Sequence, residues 1–176
     1  MSNISKAYAD ALFELSIEEN ILEEIKEQTA LLLQVLADNA DFVKLLTAPT
    51  VTKEEKIKLT DGVFSEKINK HLLNFIKVMI QRKDTAEMKN SFTDFEKLYN
   101  QHNNIEKAVA ITAVAMSEEL KAKLVDRLQA VTGKNIVLTN KVDPACLGGV
   151  ILQLEDKQFN DSISGKLETL KNQLKA

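Results

Sequence analysis

Apolar residues recur every three or four positions through the first hundred residues, and then the period changes. Ile4, Tyr8, Ala11, Leu12 and Leu15 share one face of a helix predicted over 4–18. Phe13 and Ile17 lie off that stripe, so this helix is apolar on two sides. Small Ala7 and Ala11 allow another helix to approach closely. Beyond Asn20, a second helix over 21–37 turns Leu22, Ile25, Leu32, Val35 and Leu36 inward. Its acidic start, Glu23-Glu24, suits the positive end of the helix dipole. A short third helix spans about 41–46 and stops at Ala48-Pro49. Thr52 and Glu55 have capping-box spacing and open a fourth helix that runs to about Val63. The stretch 66–81 is apolar nearly all round, through Ile68, Leu72, Leu73, Phe75, Ile76, Val78, Met79 and Ile80. Such a helix is central to a bundle or covered by a partner. Asp84 and Glu87 have the spacing of a second capping box, and the sixth helix, over 85–102, carries Met88, Phe92, Phe95, Leu98 and Tyr99 on one stripe.

From Ile105 onward the pattern is β-rich. Residues 107–115 alternate, with Val109, Ile111 and Ala113 on one parity. Ser117 can cap a helix reaching about Val131, with Leu120, Leu124, Val125, Leu128 and Val131 inward. Gly133 suits the left-handed residue that follows a helix end. A strand over 136–142, an Asp143-Pro144 turn, and a strand over 150–154 opened by Gly148-Gly149 come next. A polar turn at 155–157 leads to Gln158-Phe159-Asn160. Asp161 or Ser162 then caps a last helix striped by Ile163, Leu167, Leu170 and Leu174. The predicted fold is mainly α: a six-helix N-terminal bundle over 1–104, then a small α/β domain over 105–176 of strand–helix–strand–strand–helix order.

Composition narrows the function classes. The chain has 176 residues, no Trp and few Gly or Pro, so its core is mostly aliphatic and its backbone mostly helical. The net charge of −3, with 21 Lys and only Arg82 and Arg127, disfavours nucleic acid as a partner. Residues 1–104 carry 13 basic and 17 acidic side chains and residues 105–176 carry 10 and 9, a mild asymmetry that a solvated surface explains. The lone Cys146 excludes an internal disulfide and fits a reducing compartment. The N-terminus lacks the layout of a secretory or transit peptide, and no apolar run reaches the ~20 residues needed to span a bilayer. The expectation is a chain without direct membrane insertion that can still dock on a membrane complex.

Catalytic, cofactor and metal signals are weak. His71 and His102 are far apart and outside any metal-ligand motif. Gly133-Lys134 fails as a phosphate loop, because Leu128 and Asn135 stand where Gly and Ser or Thr are needed. Gly148-Gly149 is not a dinucleotide fingerprint, and the aspartates at 143, 156 and 161 lack calcium-loop spacing. No catalytic, cofactor-binding or metal residue is assigned. The remaining surplus is apolar helix surface, which is buried within the bundle or forms a groove for a partner's amphipathic helix. A small nucleic-acid-binding module in 105–176, a helix-binding adaptor and an enzyme stay open as alternatives.

Three runs, in order, resemble the delta subunit of F-type ATP synthase, the family that includes the oligomycin-sensitivity-conferring protein. Tyr8-Ala-Asp-Ala-Leu-Phe13 is similar to its YAxALF run, and Asn74-Phe-Ile-Lys-Val-Met79 to its fifth helix. Gly133-Lys134, Val142-Asp-Pro144, Leu147-Gly-Gly149, Asp161-Ser162 and Leu167 to Leu170 follow. The chain departs from the family at Asn160-Asp161-Ser162, where Asp-Gly-Ser is common. It also has Gln153, Ser164 and Thr169 in a region often basic, leaving Lys157, Lys166 and Lys171. The resemblance implies a non-catalytic stator protein at the cytoplasmic face of the bacterial plasma membrane. It implies that the helical domain binds the N-terminal helix of an alpha subunit of the catalytic head, and the second domain the peripheral-stalk b subunits. The doubled apolar face then puts the alpha-helix groove on helices one and five, at Tyr8, Ala11, Leu12, Leu15, Phe75, Val78 and Met79.

Overall fold

The computed structural model describes residues 3–146, 148–154 and 157–160. The chain forms two compact units, Met1–Tyr99 and Asn100–Ala176, so the division falls inside the last turns of a helix, a few residues before the Asn103-Asn104 pair.

The first unit contains α1 (Asn3–Glu18), α2 (Leu22–Asp38), α3 (Ala40–Thr47), α4 (Lys53–Phe64), α5 (Lys70–Arg82), a single 3-10 turn (Thr85–Glu87) and α6 (Met88–His102). The helix ends have local causes. Asn20 and Lys83 sit at φ of 56° and 66°, in the left-handed region that stops a helix. The capping box at α4 is complete: the Thr52 side chain accepts from the Glu55 N–H, and the Glu55 carboxylate accepts from the Thr52 N–H at 2.9 Å. Two expectations need correction. Residues 66–69 are not helical, because Asn69 caps α5 by accepting the His71 N–H on its side chain at 2.9 Å. Asp84 caps no helix; its carboxylate accepts the Tyr8 hydroxyl, and one 3-10 turn precedes α6. Of the two apolar sides expected on α1, the buried face is Ser5, Ala9, Leu12 and Ser16, which leaves Ile4, Tyr8, Ala11 and Leu15 off it.

The core of this unit joins Leu12, Ile25, Leu72, Met79, Ile80, Phe92 and Phe95, all but inaccessible to solvent. Polar side chains tie its helices together at the edges. Ser5 donates to Asp94 (α1 to α6), Tyr99 donates to Glu23 (α6 to α2), and the Asn69 N–H donates to Gln28 (α5 to α2), at distances of 2.7–2.9 Å.

The second unit holds β1 (Ile105–Thr112), α7 (Glu118–Thr132), β2 (Asn135–Val142), a 3-10 turn (Pro144–Cys146), β3 (Val150–Leu154) and β4 (Lys157–Asn160). The sheet order is β2-β1-β3-β4, with β1 parallel to β2 and antiparallel to β3, and β4 antiparallel to β3. Joining the parallel pair takes a crossover, which α7 supplies. The fourth strand is one more than the expected order holds, and it occupies the end of the expected polar turn and Gln158-Phe159-Asn160. On β1 the buried parity is Ala108, Ala110 and Thr112, with Ala110 opposite Leu152; the larger Val109 and Ile111 are only half-buried. Gly133 closes α7 at φ 69°, and Cys146 is buried. On α7 the expected inward stripe is half-buried at Leu124, Val125 and Leu128 and exposed at Leu120 and Val131. The last helix expected from Asp161 or Ser162 lies outside the described residues, as do Lys166 and Lys171 and the side chain of Lys157.

Candidate functional site

Because α1 packs through a serine–alanine–leucine–serine face, its large apolar stripe is left at the surface. The two serines are satisfied where they are buried: Ser5 Oγ donates to Asp94 Oδ2 at 2.9 Å, and Ser16 Oγ donates to the Leu12 carbonyl at 2.6 Å. A similar division holds on α5. Leu72, Leu73, Ile76, Met79 and Ile80 fill the core, which leaves Phe75 half-buried and Val78 at the surface.

The two leftover faces meet in an open groove of about 760 Å³ between α1 and α5. Tyr8, Ala11, Leu12, Leu15, Phe75 and Val78 line it, six of the seven residues expected there. Leu12, 1% exposed, belongs to the floor, while Val78, 41% exposed, belongs to the lip. Met79 is not brought to the groove; at 0% exposure it is a core residue, one position round the helix from Val78. The groove also takes in Asn3, Ile4, Ala7, His71, Asn74, Arg82 and Asp84. Ile4 was visible in the sequence as part of the α1 stripe, and Ala7 as a small residue that lets another helix approach. Asp84 was not, because its spacing to Glu87 reads as a cap.

An aromatic row leads from the groove into the core. The Tyr8 ring meets Phe75 edge-on, with centroids 5.8 Å apart, and Phe75 lies 6.0 Å from Phe92. At one end of the groove the Tyr8 hydroxyl donates to Asp84 Oδ2 at 2.7 Å. Burial first, and then the hydrogen bond to Asp84 and its charge, push the Tyr8 phenol above its ordinary value; Arg82 opposes them. The phenol is therefore a neutral donor with a fixed orientation, and the ring above it is a rigid apolar wall. Chemically, the site offers an open apolar trough with a polar end.

Among the described residues no three His, Cys, Asp or Glu side chains come together to hold a metal ion. Among them also, no helix is long and apolar enough to cross a membrane.

The family model for the ATP synthase delta (OSCP) subunit matches residues 4–174. The chain is 34% identical over 171 residues to a protein named ATP synthase subunit delta from Alkaliphilus oremlandii, covering 97% of this chain and 95% of that one. It is 31% identical over 175 residues to the protein of the same name from Clostridioides difficile, again covering 97% and 95%. A chain in the cryo-EM structure of the Toxoplasma gondii mitochondrial ATP synthase hexamer shares the fold, with a TM-score of 0.79 over 99% of both chains at 17% identity. The chain belongs to the ATP synthase delta (OSCP) subunit family.

Proposed function

We propose that this protein is the non-catalytic stator link of an F-type ATP synthase, tying the catalytic head to the peripheral stalk. Membership of the family makes it a structural subunit rather than a catalyst. The link has two ends. Residues 1–104 bind the head, through the N-terminal helix of an alpha subunit held in the α1/α5 groove. Residues 105–176 engage the b subunits of the stalk, on the cytoplasmic face of a bacterial plasma membrane. A head held this way resists the torque of the rotor, so that proton flow drives ATP synthesis rather than spinning the head.

The observation that carries the head-binding half is the groove itself. An amphipathic helix seats side chains at i, i+3, i+4 and i+7 into an apolar trough of this kind. Tyr8, Ala11, Leu15, Phe75 and Val78 form that trough over Leu12, which the core shares, while the rest of the core is built from other faces of the same helices. The test uses Val78→Asp. Val78 is exposed, so a carboxylate there leaves the fold intact, whereas Leu12→Asp would bury a charge and unfold the bundle. The variant should melt like the wild type yet bind a synthetic alpha N-terminal peptide at least ~30-fold more weakly, as expected when a central apolar anchor worth about 2 kcal/mol is lost. Unchanged peptide affinity in the folded variant would rule out the groove as the docking site.

A further inference from the structure

The groove is not symmetric along its length. One end carries Arg82 and Asp84, the Arg and the Asp of its lining, with Lys53 and Lys83 close by in the chain's fold at the end of α5. Arg82 is the last residue of α5 and lines the groove; Lys83 follows as the left-handed cap; and Lys53 Nζ donates to the carbonyl of Gln81 at 2.5 Å. Asp84 is the acidic residue of the groove, and it is engaged: half-buried, it accepts the Tyr8 hydroxyl at 2.7 Å. Cations at a helix C-terminus are favourable to the helix on their own account, and Lys53 satisfies one of its free carbonyls. Arg82 differs from the two lysines because it belongs to the groove wall. Arg82 is exposed and hydrogen-bonds the Tyr8 hydroxyl, and among the described residues it forms no ion pair within 4 Å.

We propose that Arg82 is the specificity anchor of the groove, receiving an acidic side chain of the docked amphipathic helix at the end where Tyr8 and Asp84 already hold each other. The proposal rests on the reading of the groove as a helix-docking site. A guanidinium offers a fork of donors that a carboxylate matches with two parallel hydrogen bonds, a geometry an ammonium cannot reproduce. An apolar trough fixes which face of the incoming helix points inward, but tolerates sliding by one turn and reversal end to end. A single directional ion pair at one end removes both freedoms. Tyr8 serves as the positioning residue: its hydroxyl donates to Asp84 and its oxygen accepts from the Arg82 side chain, which steadies a guanidinium whose remaining N–H donors stay available to the partner.

The test measures binding of the alpha N-terminal peptide to the full chain at several salt concentrations, for the wild type, Arg82→Gln, Arg82→Lys and Val78→Asp. Each Asp and Glu of the peptide is also neutralised in turn. Arg82→Gln should weaken binding by about fivefold at low salt and flatten the dependence on salt, since exposed pairs of this kind are modest and screened. Arg82→Lys should recover only part of the loss. One acidic peptide position, and only one, should lose its effect in the Arg82→Gln background. Wild-type affinity in Arg82→Gln together with weak binding in Val78→Asp overturns the anchor and leaves the groove standing. Weakened binding with an unchanged salt dependence also overturns it, because the arginine stem would then act by packing alone. Normal binding by both Arg82→Gln and Val78→Asp removes the groove reading itself, and the anchor with it.

Discussion

Between Asn3 and Tyr99 the helices are held by what they bury; between Asn100 and Asn160 the described residues are held by how their backbones pair. In the first unit Phe92, Phe95, Leu12, Ile25, Leu72, Met79 and Ile80 are sealed from water and touch across helices distant in sequence. In the second, the buried apolar residues are small or few: Ala108, Ala110, Ile136, Cys146 and Leu152, gathered on a sheet whose central strand β1 is paired on both sides. Its helix α7 has no fully buried residue. The two units thus answer differently to the same kind of change. Loss of a large side chain should cost far more in the bundle than on α7, where the backbone conformation at the helix end should matter more than the face.

The largest effect is expected at Phe95. Its ring is wholly buried and meets Phe13 edge-on at 6.2 Å. Phe95→Ala should destabilise the helical unit by about 3–5 kcal/mol, from lost burial plus the cavity left behind. Denaturant unfolding followed by helical circular dichroism reads this directly. A loss under ~1 kcal/mol would mean that the bundle re-forms around the gap, and that its core is less specific than the contacts imply.

A smaller effect separates hydrophobic burial from polar pinning within the same unit. The Tyr99 hydroxyl donates to both Glu23 oxygens, at 2.9 Å and 2.7 Å, with the Lys26 ammonium over the ring. The Glu23 bond first, and burial second, push the Tyr99 phenol up to about 12. Its unfolded value is about 10. A raised folded value favours the protonated form, so this stabilisation is complete below about pH 10 and is lost as pH rises toward 12. Tyr99→Phe should cost about 1 kcal/mol at neutral pH, the ordinary net worth of a hydrogen bond, because Glu23 is exposed and regains water. Comparing melts of wild type and variant across that range, the gap should close as the pH climbs; a constant gap would mean the phenol is not bound to a charged Glu23.

Both units hide the same trap for a reader of the sequence. Most elements were legible, since helical period, the Thr52–Glu55 capping box and the left-handed Gly133 are local signals and locally decided. What the pattern left open was the choice of buried face. On α1 the larger apolar residues Ile4, Tyr8 and Leu15 suggest an inward stripe, yet Ser5, Ala9 and Ser16 are buried beside Leu12. On β1 the larger Val109 and Ile111 give way to Ala108, Ala110 and Thr112. Small side chains let neighbouring backbones come close, and buried hydroxyls are acceptable once bonded, as Ser5 is to Asp94 and Ser16 to Leu12. Hydrophobicity alone ranks those residues last. The same effect made the candidate site readable: on a helix with two apolar faces, one must be surplus, and the sequence showed that α1 had one. It could not separate Val78 from Met79, because adjacent residues on an all-round apolar helix differ only in what packs against them.

The smallest effects belong to α7 and bear on the comparison most directly. Spacing at 120, 124, 128 and 131 reads as an inward stripe, but Leu120 is 55% exposed and Val131 is 81% exposed. Its ends, by contrast, are well made. The Ser117 side chain accepts the Leu120 N–H, Glu118 and Glu119 sit in the first turn, and the Gly133 N–H donates to the Gln129 carbonyl at 2.8 Å from a left-handed backbone. No neighbour lies within 4 Å of where a Gly133 side chain would project, so Gly133→Ala meets only the backbone penalty, about 1 kcal/mol. Leu120→Gln and Val131→Gln should each stay within ~0.5 kcal/mol of the wild type, as surface substitutions do. The order of these changes, with the glycine above both apolar residues, is the reverse of what the sequence stripe suggests. Were Leu120→Gln to cost as much as Gly133→Ala, α7 would be held by its face after all, and the contrast between a buried bundle and a backbone-paired sheet would lose its clearest instance.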